Sequence, residues 1–137
     1  MMILVTGGMG YIGSHTVVEL LNSNYEVVVV DNLSNSSILV KDRIKKITNK
    51  DFKFYNVDVT DKESLKKVFE ENKIDSIIHF AAFKAVGESV EKPLEYYENN
   101  LVGALVVFEL MKEFNVNNFV FSSSATVYGK PKSCPIK

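Results

Sequence analysis

One cysteine, Cys134, stands among 137 residues, with no tryptophan and only three prolines. A lone thiol cannot close an intrachain disulfide, so the fold must rest on packing and hydrogen bonds, and the expected setting is the reducing cytoplasm. No apolar run approaches the ~20 residues of a bilayer span. The opening MMILVTGG has neither the basic flank nor the length of a secretory signal. Charge of one sign is also missing: 16 Lys and Arg against 17 Asp and Glu leave a net −1. The lysines are scattered, which leaves no electrostatic footprint for nucleic acid. Neither His15 nor His79 has a Cys or carboxylate at ligand spacing, so packing or hydrogen bonding is expected of both, and no metal site.

What is present is a globular composition, 46% hydrophobic and 24% charged, in a chain long enough for one core that buries roughly two-thirds of the unfolded surface. Short β-branched runs alternate with longer amphipathic ones, the pattern of an α/β domain. Residues 3–5, 27–30, 52–57, 77–80 and 119–121 read as five strands. Two of them are apolar on both faces, as a parallel sheet covered by helices requires. Ile12, Val17, Leu20 and Leu21 form one helical stripe, and Leu65, Val68 and Phe69 another after Thr60-Asp61. The longest helix is expected from about Leu94 to Phe114. Its centre, Leu101 to Phe108, is apolar nearly all round, which predicts burial on more than one side. Residues 130–137, with Pro131 and Pro135, show no periodicity and read as a break rather than a natural end.

The most informative stretch is ILVTGGMGYIGSHTVVELL. It places Gly7, Gly10 and Gly13, with Gly8 between, at the junction of the first strand and first helix. Glycines there allow a tight turn and let backbone approach a pyrophosphate, while the helix N-terminus offers free N–H groups. Asp31 lies 18 residues beyond Gly13, at the end of the second strand, where a carboxylate accepts hydrogen bonds from ribose hydroxyls. Together these point to a dinucleotide and to a doubly wound parallel sheet of order 3-2-1-4-5. The carboxylate would repel a 2′-phosphate. The only arginine, Arg43, lies outside the turn, so NAD is favoured over NADP.

Other strand ends continue the edge. Asp58 and Val59 follow the third strand, where an adenine ring could meet a carboxylate and an apolar neighbour. Ala81, Ala82 and Lys84 follow the fourth: the alanines admit close backbone approach and the lysine offers a cation. Ser122 to Ser124 end the fifth, with hydroxyls for a reacting sugar oxygen. Asn99 and Asn100 sit in a helix where asparagine is a mediocre former, which suggests that one touches a ligand. Each also has a bland reading, Asp58 as a helix cap, Lys84 as a solvated lysine and the serines as loop hydroxyls.

These segments, with VVDNLSNSS, HFAAFKAVGESV, PLEYYENN and SSSATVYG, resemble the extended short-chain dehydrogenase/reductase family over all 137 residues. Within it they resemble the branch that inverts C4 of UDP-hexoses. The resemblance implies one NAD-binding Rossmann domain over residues 1–137. It assigns to the NAD site Gly7, Gly10, Tyr11, Ile12, Gly13, Asp31, Asn32, Leu33, Ser34, Asn35, Ser36, Asp58, Val59, Phe80, Ala81, Ala82, Phe83, Lys84 and Asn99. It makes Ser124 a catalytic-site hydroxyl that hydrogen-bonds the substrate, and it implies a homodimer. The implied chemistry removes the 4-hydroxyl proton with a tyrosinate while hydride passes to NAD, then returns the hydride to the other face of a rotated 4-keto sugar.

That base belongs to a Tyr-x-x-x-Lys pair. Tyr128 and Lys132 have the spacing, but Gly129 and Pro131 intervene, and proline is tolerated only in a helix's first turn, which leaves Tyr128 outside. No other tyrosine has lysine four residues on. By resemblance the pair lies beyond Lys137, as does the part that grips UDP, so these 137 residues alone should bind NAD and lack turnover. Two other readings stay open. One is a related nucleotide-sugar 4,6-dehydratase or decarboxylase, though the position of the dehydratase's acid and base carboxylates reads Ser124-Ala125-Thr126-Val127. The other is a non-catalytic NAD-sensing module.

Overall fold

The computed structural model of the chain describes residues 1–130 and 132–135; Pro131, Ile136 and Lys137 lie outside the described residues. Five strands, β1 (Met2–Thr6), β2 (Glu26–Asp31), β3 (Lys53–Asn56), β4 (Ser76–His79) and β5 (Asn118–Phe121), form one sheet of order β3-β2-β1-β4-β5. Every pairing is parallel. The order and the direction both match the sequence reading.

Alternation along the central strands divides the core in two. Ile3, Val5, Val27 and Val29 face one side, where they pack with Val17 and Leu21 of α1 (Tyr11–Asn22) and Ile44 of α2 (Leu39–Thr48). Leu4, Val28, Val30 and Ile77 face the other, against Leu65, Val68 and Phe69 of α3 (Lys62–Glu71) and Val106, Val107 and Leu110 of α6 (Gly103–Glu113). Because side chains alternate with period two, an unbroken Val27–Val30 run feeds both layers. Asp61 caps α3 by accepting from the Ser64 N–H at 3.1 Å and the Ser64 hydroxyl at 2.6 Å. A surface ion pair, Lys62 to Glu109 at 2.8 Å, ties α3 to α6.

One expectation is refined and one corrected. The helix expected over 94–114 runs on without a break through α5 (Pro93–Tyr97), a π turn (Glu98–Val102) and α6, with the residues at both junctions in the right-handed helical region. Its apolar residues are not buried all round. Gly103, Val106, Val107, Leu110 and Met111 meet the sheet, while Leu101 is 56%, Leu105 59% and Phe108 46% exposed. The reason is layering: α6 has a sheet on one side, and none of the described residues packs over its outer side. A short α4 (Val86–Glu91), which no periodicity announced, precedes α5.

Candidate functional site

All five strands point their carboxyl ends at one edge. From β1 the order runs outward to β2 and β3 on one side and to β4 and β5 on the other, which makes the end of β1 the switch point at which such sheets take ligands. A cavity of about 280 Å³ opens there.

The glycine loop forms its floor, and the steric need for glycine is direct. Gly7 has φ +68°, and a Cβ on it would lie 2.7 Å from the Ala81 nitrogen. A Cβ on Gly13 would lie 2.2 Å from the Gly7 carbonyl oxygen. No side chain caps α1 at Gly10 and no acid sits in its first turn. The positive helix end therefore faces the cavity with its own first-turn N–H groups uncapped by any side chain, a ready anion site.

Asp31 ties this loop to β2. Its Oδ2 accepts the Met9 N–H at 2.9 Å, and its Oδ1 accepts the Leu33 N–H and the Ser36 hydroxyl, each at 2.9 Å. The carboxylate lines the cavity and is otherwise buried. Since each carboxylate oxygen accepts about two hydrogen bonds, Oδ2 keeps capacity for a ligand hydroxyl. Leu33 and Ser36 do not line the cavity; they hold Asp31.

Next to it, Asn32 donates to Asp58 Oδ2 at 2.8 Å, and Asp58 Oδ1 accepts the Thr60 N–H at 2.8 Å and its hydroxyl at 2.7 Å. Burial alone would raise the Asp58 pKa, but these hydrogen bonds outweigh it and hold the carboxyl below its ordinary value. Asp58 is thus a fixed anion that orients Asn32, while its neighbours Val57 and Val59 line the wall. Gly103 packs against that wall, since a Cβ on it would sit 2.8 Å from Val59 Cγ2.

On the β4 side the cavity is lined by Phe80 to Lys84, with Asn99 from the π turn and Ser122 from the end of β5. Lys84 Nζ donates to the Ser122 carbonyl at 3.4 Å. Beneath them His79, 1% exposed, is bonded through Nδ1 to Thr6 Oγ1 at 2.7 Å and lies 6.0 Å from the Phe121 ring. Burial first, and the Lys84 charge second, push its pKa down to about 4. Packing and hydrogen bonding, the roles expected of it, are the roles it has.

Of the residues assigned from sequence, Gly7, Gly10, Tyr11, Ile12, Gly13, Asp31, Asn32, Ser34, Asn35, Val59, Phe80 to Lys84 and Asn99 line one cavity. Asp58, Leu33 and Ser36 buttress it. Ser124 is half-buried beyond the cavity lining, its carbonyl accepting the Val127 N–H at 3.2 Å. Sequence reasoning passed over Val30 and Val57 as site residues and gave Ser122 only a place in a run. Val30 is the penultimate residue of β2, and Val57 and Ser122 are the first beyond β3 and β5; nearness to a strand's carboxyl end is the signal that could have marked them. Tyr128 closes a 3-10 turn (Ala125–Tyr128), and Gly129 then takes φ 63°, so Tyr128 and Lys132 share no helix face. Among the described residues no group of three His, Cys, Asp or Glu could hold a metal, and no helix is long and apolar enough to cross a membrane.

A family model described as GDP-mannose 4,6 dehydratase matches residues 4–137. The chain is 64% identical over 136 residues to the UDP-glucose 4-epimerase of Haemophilus influenzae and 60% identical to that of Bacillus subtilis. Each match takes in 99% of this chain and 40% of the relative. A crystal structure of UDP-glucose 4-epimerase from Bifidobacterium longum, in complex with NAD+ and UDP, superposes with a TM-score of 0.97 at 54% identity, over 99% of this chain and 41% of that one. The chain therefore spans about 40% of the length of the relatives it matches.

Proposed function

We propose, for a chain that belongs to the GDP-mannose 4,6 dehydratase family, that residues 1–137 form the NAD-binding domain of a UDP-glucose 4-epimerase, which interconverts UDP-glucose and UDP-galactose. The observation that carries the reading is the cavity at the switch point, floored by glycines that admit no Cβ and flanked by the Asp31 carboxylate. These residues fit a dinucleotide. The open N-terminus of α1 suits a pyrophosphate, and Tyr11 and Ile12 in its first turn supply N–H groups. Asp31 suits an unphosphorylated adenine ribose, and Asn32, held by Asp58, suits the base beside Val57 and Val59.

NAD held there would supply the acceptor, and then the donor, of a hydride at sugar C4. Lys84 and Asn99 take the half of the cofactor nearer the substrate, and Ser124 hydrogen-bonds the sugar near its reacting oxygen. The proton at the 4-hydroxyl requires a base, and a tyrosine that titrates near 10 when free needs a neighbouring cation to serve at neutral pH. That Tyr-x-x-x-Lys pair and the grip on UDP are contributed by the length that the relatives have beyond this match. A homodimer working in the cytoplasm completes the reading.

The test is twofold. Calorimetric titration of the chain with NAD should give binding, and the chain alone should convert no UDP-galactose. Joined to the remaining length of the Haemophilus influenzae relative, it should restore conversion of UDP-galactose to UDP-glucose. A chimera that forms a 4-keto-6-deoxy sugar instead would favour the dehydratase reading that the family description suggests. NAD binding with a folded, inactive chimera would favour the non-catalytic module.

A further inference from the structure

Phe80–Lys84 forms one wall of the cavity, yet β4 has already ended at His79. Only its first residues still reach β1, so the rest of its backbone must be held by something other than a strand partner. At its start, the Phe80 N–H donates to the Thr6 carbonyl at 3.0 Å and the Ala81 N–H to Thr6 Oγ1 at 3.4 Å. Further on, the hold passes to a side chain. Asn100 Oδ1 accepts the Phe83 N–H at 2.8 Å, and Asn100 Nδ2 donates to the Phe83 carbonyl at 3.1 Å. A single amide thus engages both backbone groups of one residue, as a neighbouring strand would.

This pairing also fixes orientation. Oxygen must meet the N–H and nitrogen the carbonyl, so the Asn100 amide has one possible sense. Asn99 Nδ2 donates to the same Asn100 Oδ1 at 2.9 Å, so the sense of the cavity-lining Asn99 follows from that of Asn100. Both asparagines lie in the π turn Glu98–Val102, a helix irregularity frequent at functional sites. The Phe83 ring is held from the same run, with its centroid 5.3 Å from that of Tyr96, whose hydroxyl donates to Glu88 at 2.8 Å.

We propose that Asn100 is a positioning residue: it clamps the Phe83 backbone and sets Asn99, and so holds the Phe80–Lys84 wall in the shape the ligand requires. The inference rests on the NAD reading for the identity of that ligand. Because the clamped wall lies on the β4 side, away from Asp31, its loss should fall on the half of NAD remote from adenosine.

The experiment titrates the chain and its Asn100→Ala variant with NAD and with ADP, and follows amide hydrogen exchange at Phe83 without ligand. NAD should bind about tenfold more weakly to the variant, as expected for the loss of one or two hydrogen bonds. ADP should bind equally to both, and the Phe83 amide should exchange faster in the variant. Equal weakening of NAD and ADP, or unchanged Phe83 exchange, would overturn the proposal. A wild-type chain that binds no NAD, with Phe83 exchange still accelerated in the variant, would sink the NAD reading and leave the clamp standing. If the alanine variant does not fold, Asn100→Asp keeps the acceptor for the Phe83 N–H but cannot donate to its carbonyl, and the same comparison applies.

Discussion

The buried imidazole of His79 should make stability depend on pH in a calculable way. In the folded chain it ends β4, bonded to Thr6 of β1 on one side and facing the Phe119 and Phe121 rings of β5 on the other, and its pKa is pushed down to about 4. Its ordinary value, and that of the unfolded chain, is 6.5. The folded pKa is the lower one, so between these values the unfolded state binds the proton and the native state does not. Stability is therefore intact above pH 6.5 and falls as pH drops toward 4. Each pH unit is worth ~1.36 kcal/mol, so the full gap corresponds to about 3 kcal/mol, of which about 2 kcal/mol is lost between pH 7 and pH 5. Carboxylates titrate in the same region, so the measurement is a difference. Urea unfolding of the chain and of His79→Gln at pH 7 and pH 5 isolates the histidine, because the packing defect of the variant is common to both pH values. Wild type should lose about 2 kcal/mol more than the variant on acidification. Parallel losses would show that His79 is protonated in the fold without cost, and that its burial does not govern its charge.

Asp31→Ala should destabilise the chain by about 1–3 kcal/mol, since the donors of Met9, Leu33 and Ser36 lose their acceptor. It should also weaken NAD binding and narrow the preference over NADP; equal affinity of the unsubstituted chain for both cofactors would remove the ribose assignment. Gly103→Ala drives a Cβ to 2.8 Å from Val59 Cγ2 and should push Val59 into the cavity it lines. A loss of about 1–3 kcal/mol in stability is expected, read by thermal unfolding, together with weaker binding of both NAD and ADP. Ser124→Ala, placed in the active chimera, should lower kcat more than it raises KM; unchanged kcat would leave Ser124 a loop hydroxyl.

Legibility in the sequence followed the locality of the cause. Val27 to Val30 must be a strand with two buried faces whatever surrounds it, because four successive β-branched residues can be satisfied only between two layers. Gly7 and Gly13 were readable because their requirement is steric and lies within the turn itself. Asp31 was legible in place but not in partners: its bonds to Met9, Leu33 and Ser36 depend on how the loop after β2 folds back. The π turn had no signature beyond two helix-poor asparagines. Its purpose becomes visible only when Phe83, 17 residues earlier, is seen to need a partner.

The outer face of α6 shows the limit from the other direction. An all-round apolar helix predicts cover on more than one side, yet Leu101, Leu105 and Phe108 are exposed here. Next to them β5 carries its own apolar residues to the sheet edge, with Val120 and Phe121 also exposed and the Phe108 ring 4.8 Å from that of Phe119. Apolar periodicity reports how much cover a segment is built to receive, not what supplies it. The same holds at the site. The edge of β1, β2 and β3 carries its glycines, Asp31 and Asn32, whereas beside Ser122 and Ser124 at the β5 edge no tyrosine and lysine among the described residues share a helix face. On the proposed reading, residues 1–137 hold the adenosine side of the cofactor, and proton transfer at the sugar calls for groups from elsewhere. Binding and turnover should therefore separate between this chain and its chimera.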